Sequence, residues 1–155
     1  MSSLSQKRII LGITGGIAAY KSAEIARRLQ DHGAEVRVIM TDSAQEFIRP
    51  LTLQALTGKP VHTDLLDTKA EAAMGHIELA RWADAILVAP ATANFMAALS
   101  QGTAHDLLTT VCLASSGKII VAPAMNQAMW SQPASQQNIE SLKRRGITIL
   151  EPDNG

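Results

Sequence analysis

Two asparagines, a histidine and a glycine-rich turn are the residues of this chain whose types and spacing ask for chemistry. Asn94 and Asn126 each follow an aliphatic run with the same four-letter ending. Ile86-Leu87-Val88-Ala89-Pro90-Ala91 leads to the first, and Ile119-Ile120-Val121-Ala122-Pro123-Ala124 to the second. Short continuous aliphatic runs are how buried parallel strands read. A proline straight after such a run has no N–H, and is expected to end the ladder there. Ligands of open α/β sheets bind beyond the carboxyl ends of the strands. Two strands that close on small residues and then present a carboxamide therefore form one wall of a ligand site. Each amide also has a plainer reading as a helix N-cap. That reading is strong for Asn94 and weaker for Asn126, which is followed by little more than a turn before Pro133.

Gly12-Ile13-Thr14-Gly15-Gly16-Ile17 lies between the first expected strand and the first long helix. Backbone N–H groups unhindered by side chains at a helix start suit a phosphate or another anion. The pattern is neither Gly-x-Gly-x-x-Gly nor a Walker loop, and Lys21 lies too far into the helix for a Walker lysine. A tight turn without a ligand is the alternative. Met40-Thr41-Asp42-Ser43 ends the second strand. Asp42 suits a ribose hydroxyl, the hydroxyls of Thr41 and Ser43 suit a phosphate equally well, and helix capping competes with both. His76, in Gly75-His76-Ile77-Glu78-Leu79, heads a short helix with backbone freedom beside it and a side chain that can serve near neutrality. Read alone it is a capping or surface residue as readily as a base. His32 and His62 read as surface histidines.

The elements that must position these groups alternate. Strands are expected at Lys7–Ile13, Glu35–Met40, Ala85–Ala89, Lys118–Val121 and Ile147–Leu150. Helices are expected at Ile17–His32, Ser43–Ile48, Pro50–Thr57, Ile77–Trp82, Asn94–Ser100, Asp106–Ser115 and Pro133–Arg145. Val61–Glu71 reads as a loop with at most a short strand. This is an α/β pattern, a single Rossmann-like three-layer domain with a mostly parallel sheet and right-handed crossovers. Aromatics make up 3% of the 155 residues, which favours close helix-on-sheet packing over a β-sandwich. Basic and acidic residues balance at 14 each, so no global field recruits nucleic acid or an anionic membrane. No apolar run approaches the roughly 20 residues of a membrane span, and Met1–Arg8 lacks the apolar stretch of a signal peptide. No metal-ligand spacing stands out. The lone Cys112 falls in an apolar helical run and reads as a buried, inert, reduced thiol, which makes the cytoplasm the expected address.

Taken in order, Gly12–Lys21, Gly75–Asp84, Ala89–Asn94, Gly102–Thr110 and Pro123–Trp130 resemble the homo-oligomeric flavin-containing cysteine decarboxylases. The likeness runs from Lys7 to Gly155, and Gly-His-Ile-Glu-Leu together with Pro-Ala-Met-Asn is its specific pair. The resemblance implies a Rossmann-like FMN-binding domain that assembles as trimers or dodecamers, with FMN near subunit boundaries. By motif position, Thr14, Gly15, Gly16 and Ile17 would meet the phosphate region, with Thr41 and Ser43 adding contacts. Thr92, Ala93 and Asn94 would line the cofactor and Ala124 would lie close to the flavin. His76 matches the catalytic base and Asn126 the holder of the substrate carboxylate. The implied substrate is 4′-phosphopantothenoylcysteine. Its thiol carbon is oxidised to a thioaldehyde, CO₂ leaves, and re-reduction gives 4′-phosphopantetheine for coenzyme A biosynthesis. Fusion to a phosphopantothenate–cysteine ligase domain is implied as well.

Two departures accompany the likeness. The family's proton-donating cysteine belongs to a flap just after the region matching Pro152–Gly155, so residues 1–155 are expected to be the flavoprotein domain without it. Cys112 lies in the wrong segment to replace that donor. His105 stands where the family has Asn or Asp. Arg81, one turn after His76, reads as a contact to the substrate phosphate, as a contact to a neighbouring subunit, or as solvated charge. A decarboxylase of a peptide's C-terminal cysteine and a non-catalytic flavin-binding regulatory module are the alternative functions.

Overall fold

Five aliphatic runs form one all-parallel sheet, each central strand covered on both faces. They are β1 (Arg8–Ile13), β2 (Glu35–Met40), β3 (Ala85–Ala91), β4 (Lys118–Pro123) and β5 (Thr148–Ile149). The computed structural model describes residues 3–65 and 74–151, and the strands run in the order β2-β1-β3-β4-β5. The helices are α1 (Ser22–Asp31), α2 (Pro50–Thr57), α3 (His76–Trp82), α4 (Ala93–Gln101), α5 (Leu107–Ala114), α6 (Gln127–Ser131) and α7 (Pro133–Arg144).

Alternation along the strands sorts the core into two layers. Ile9, Leu11, Ile13, Val36, Val38 and Met40 pack with Ala26 of α1 and Leu53 of α2. Ile10, Ile86, Val88 and Val121 pack with α3, α4, α5 and α7 through Leu79, Phe95, Leu108 and Leu142. The first crossover and α2 thus lie on one face and α3, α4, α5 and α7 on the other, the two-sided arrangement that right-handed connections give this strand order.

Four expectations are corrected. Neither strand stops short of its proline: β3 continues through Pro90 to Ala91 with a cis Ala89–Pro90 peptide, and β4 ends on Pro123, which pairs with Ala91 after a register shift beyond Val88. A proline removes one donor and keeps its acceptor, and Pro90's carbonyl is taken by Thr14 N–H at 3.2 Å while Ala124 N–H bonds Ala91's carbonyl at 3.0 Å. The helix expected over Ile17–His32 divides into a 3-10 helix, Ile17–Lys21, and α1. At the junction Ser22 Oγ donates to the Ala19 carbonyl at 2.7 Å, a local bond that competes with regular helix. The segment after Ser43 is likewise a 3-10 helix, Ser43–Glu46. His62 is not a surface residue. It is 6% exposed and bridges Ile39 in parallel, its N–H on the Val38 carbonyl (2.9 Å) and its carbonyl on Met40 N–H (3.0 Å). Lys59 ties the approach to this bridge by pairing with Glu35 at 2.5 Å and lying 5.9 Å from the Trp82 ring. Residues 66–71 of the expected loop fall outside the described residues.

Among the described residues no helix is long and apolar enough to cross a membrane. Cys112 is buried on α5 as expected. Burial first, and the nearby Asp106 charge second, push its thiol up to about 12. A thiolate-selective reagent at pH 8 should therefore leave the native protein unlabelled, and absorbance titration should count one thiol per chain only after denaturation.

Candidate functional site

Strand order reverses between β1 and β3, because β2 lies to one side of β1 and all later strands to the other. Crossovers diverge at such a point and leave a crevice at the carboxyl edge of the sheet. Thr14, the residue after β1, sets its width. This side chain is 2% exposed; its Oγ donates to the Pro90 carbonyl at 2.7 Å and accepts from Thr92 N–H at 3.0 Å. One hydroxyl thus satisfies a carbonyl and an amide of the neighbouring strand end.

The glycines beside it have different reasons. A Cβ on Gly15 would stand 2.5 Å from Ser43 Cβ and 2.8 Å from Ser43's carbonyl carbon. The turn after β1 and the turn after β2 are pressed together at that point, and only glycine fits. Gly16 is extended, with φ −179°, a conformation any residue adopts, and a Cβ there would meet nothing nearer than Thr92 Cγ2 at 3.8 Å. Nothing in the chain demands glycine at 16; its bare backbone leaves room for a group from outside.

The crevice encloses about 410 Å³, within the range of small-molecule sites. Six of the anticipated residues line it together: Thr14, Thr41, Asp42, Ser43, Thr92 and Asn94. Thr41 accepts from Ala44 N–H at 3.2 Å and lies 3.4 Å from Ser43 Oγ, so it caps the local turn and still carries a hydroxyl hydrogen to give. Asn94 is not a cap. Thr92 caps α4 instead, accepting from Phe95 N–H at 3.1 Å, which leaves the Asn94 amide exposed on the first turn beside the crevice. Asn126 is the reverse case: its Oδ1 accepts from Met129 N–H at 2.9 Å and caps α6. With that oxygen engaged, the exposed amide can offer an outside partner its N–H donors.

Gly15, Gly16, Ile17, Ala93 and Ala124 are not among the lining residues of the crevice. Ile17 is largely exposed in the 3-10 helix, Ala93 begins α4, and Ala124 is held just beyond β4 by its bond to Ala91. His76 and Asn126 also lie outside the crevice. His76, half-buried, is the first residue of α3 behind an extended Gly75. Helices between parallel strands start at the carboxyl edge, so both residues share that edge of the sheet with the crevice without sharing its wall.

The rest of the wall was not anticipated from sequence. Thr63 and Asp64 follow the His62 bridge, and His105 and Asp106 precede α5. Asp106 caps α5, its Oδ1 taking Thr109 N–H (2.8 Å) and Thr109 Oγ (2.6 Å), while Oδ2 lies 3.5 Å from His105 Nε2. Asp42, Asp64 and Asp106 are the carboxylates of the wall, and no Lys or Arg is among its described residues. No group of three or more His, Cys, Asp or Glu suited to a metal occurs among the described residues. The wall therefore sets neutral donors that can orient a polar ligand beside three carboxylates, with the His76 imidazole and a second amide on the same edge.

Comparison with known proteins gives that arrangement a chemical context. The flavoprotein family matches residues 1–155. The coenzyme A biosynthesis bifunctional protein CoaBC of Vibrio vulnificus is 56% identical over 155 residues, all of this chain, which spans 39% of that protein's length. Among solved structures, the FMN-dependent cysteine decarboxylase SpaF is 37% identical with a TM-score of 0.91, the match covering 99% of this chain and 88% of that one. A C175S mutant PPC decarboxylase complexed with pantothenoylaminoethenethiol is 31% identical with a TM-score of 0.82, covering 96% and 83%.

Replacing Thr14 by Val keeps the shape and orphans Thr92 N–H. Urea unfolding should show a loss of about 1–3 kcal/mol, and Thr14→Ser, which keeps the hydroxyl, should recover most of it.

Proposed function

The chain belongs to the flavoprotein family, and from that premise we propose that it is the FMN-binding domain of an enzyme that decarboxylates 4′-phosphopantothenoylcysteine to 4′-phosphopantetheine. The observation that carries this reading is the identity of 56% along the whole chain to a coenzyme A biosynthesis protein. The crevice at the reversal of strand order, lined by the hydroxyls and amide expected of a flavin site, supports it. The cofactor class is a flavin; FMN is the form we propose, in keeping with the FMN dependence of SpaF. The residues fit such a group, since Gly16 leaves open space beside Thr92 and the Thr41 and Ser43 hydroxyls stand ready for a phosphate.

When bound, the flavin supplies two-electron oxidation, which gives a cysteine carboxylate the neighbouring electron sink it otherwise lacks. The protein's part is position and protons. Asn126 would hold the substrate carboxylate through its Nδ2 donors, because its oxygen is engaged at the α6 cap. A neutral amide orients the carboxylate without the ground-state stabilisation of an arginine pair, which favours release of CO₂. His76 would take the thiol proton of the substrate. Thr14, Gly15, Gly16 and Ile17 would face the cofactor phosphate region, with Thr41 and Ser43 adding hydroxyl contacts. Thr92, Ala93, Asn94 and Ala124 would form the small and polar surface against the rest of it. Because His76 and Asn126 lie outside the crevice of a single chain, the reading includes assembly, as trimers or dodecamers, with sites completed between copies. The greater length of the relative supports fusion to a ligase domain.

A second reading keeps the chemistry and changes the substrate to a peptide's C-terminal cysteine; the likeness to the solved peptidyl-cysteine decarboxylase EpiD, 28% identical with a TM-score of 0.85, favours it. Anaerobic visible spectroscopy separates the two. Phosphopantothenoylcysteine should bleach the bound flavin and release CO₂, whereas bleaching by a cysteine-ended peptide alone would select the second reading. His76→Asn and Asn126→Asp should each slow bleaching by about two orders of magnitude or more while flavin stays bound. Asp at 126 still accepts Met129 N–H, so its melting temperature should not move. Native-rate bleaching by His76→Asn would remove that residue from the mechanism. Gly16→Ala should leave the melting temperature unchanged and weaken flavin retention roughly tenfold, the worth of one good contact, as read by release on dilution.

A further inference from the structure

Among the described residues of the crevice wall, His105 is the one that can carry a positive charge, and the flavin reading leaves it without a role. The titratable groups facing it come from three elements: Asp42 after β2, Asp64 after the His62 bridge, and Asp106 at the α5 cap. Among the described residues no other titratable side chain lines the crevice. A phosphate monoester carries nearly two negative charges at neutral pH. The hydroxyls of Thr41 and Ser43 and the Asn94 amide can hydrogen-bond to such a group, but they offset none of its charge against three carboxylates.

The imidazole is placed to do so. Its side chain is 47% exposed, and Nε2 stands 3.5 Å from Asp106 Oδ2, too far for a good hydrogen bond. Asp106's other oxygen is spent on Thr109. The ring thus lies beside a carboxylate without having its N–H groups consumed. We propose that His105 recognises the phosphorylated end of the bound flavin, holding it when the imidazole is protonated and loosening it when the ring is neutral. This rests on the flavin reading above and adds a specificity residue, and a proton dependence, to the same site.

Histidine titrates near neutrality, so the sign is fixed: acidification strengthens retention of a phosphorylated flavin. The phosphate itself gains charge over the same range, so the informative quantity is the difference between variants. The flavin-loaded protein is diluted at pH 6 and at pH 8, and free flavin is read by its fluorescence. Between these pH values wild type should lose affinity for FMN by about fivefold more than His105→Asn, the scale of a half-exposed ion pair. His105→Lys, charged at both pH values, should retain FMN at pH 8 at least as well as wild type does at pH 6. With riboflavin, which lacks the phosphate, wild type and His105→Asn should show the same pH dependence. Equal dependence of the two proteins on pH with FMN overturns the proposal, and so does a difference that persists with riboflavin. If wild type retains no flavin at either pH, the flavin reading itself fails, and this inference with it.

Discussion

One buried hydroxyl holds the crevice open at a fixed width. Where strand order reverses, the ends of β1 and β3 are neighbours whose crossovers leave on opposite faces, so no helix bridges them. Thr14 fills the gap with a single oxygen that donates to the Pro90 carbonyl of β3 and accepts from the N–H of Thr92, the α4 cap just after it. The cost of leaving Thr92 N–H unpaired is what makes this one atom matter. Everything that faces a ligand here, from the Ser43 turn to the first turn of α4, takes its place from that junction.

The helix caps serve the site as much as the helices. Thr92 takes the cap that Asn94 would otherwise take, which frees a carboxamide for the crevice. Asn126 does cap its helix, and by committing its oxygen it becomes a pure donor to anything outside. Asp106 spends one oxygen on α5 and keeps the other near His105. In each case a local rule about orphan N–H groups decides which atoms remain for chemistry. The wall that results, among its described residues, is neutral in its donors and acidic in its charges, so it orients through hydrogen bonds.

Much of this was legible in the sequence, for reasons that also explain the failures. Ile86–Ala89 and Ile119–Val121 read as strands because a sheet buried on both faces tolerates only aliphatic side chains, and the order of elements followed from their alternation. The prolines misled because a missing N–H matters only where a ladder needs that donor. Ser22 broke a helix whose periodicity was continuous, since apolar spacing does not report a side chain bonding its own backbone. Thr41, Ser43 and Asn94 were identifiable as polar residues at strand ends. Thr63 and Asp64 were not, because they owe their place to the pairing of His62 with Ile39, a tertiary contact with no local signal. His76 and Asn126 illustrate the remaining gap: motif and edge agree, but the fold of one chain does not bring either of them into the crevice wall.

The contact between Gly15 and Ser43 limits how this protein can drift through sequence space. Most tight packings are negotiable, because a larger residue on one side can be answered by a smaller one on the other. Here the obstruction includes the carbonyl carbon of residue 43 at 2.8 Å, which no substitution removes. Trimming Ser43 to nothing would still leave no space for a methyl group at 15. The two turns can change only together, by moving their backbones, and such a move would also displace the strand ends pinned by Thr14. Lineages descending from this architecture are therefore expected to vary freely around the junction and to leave that glycine alone.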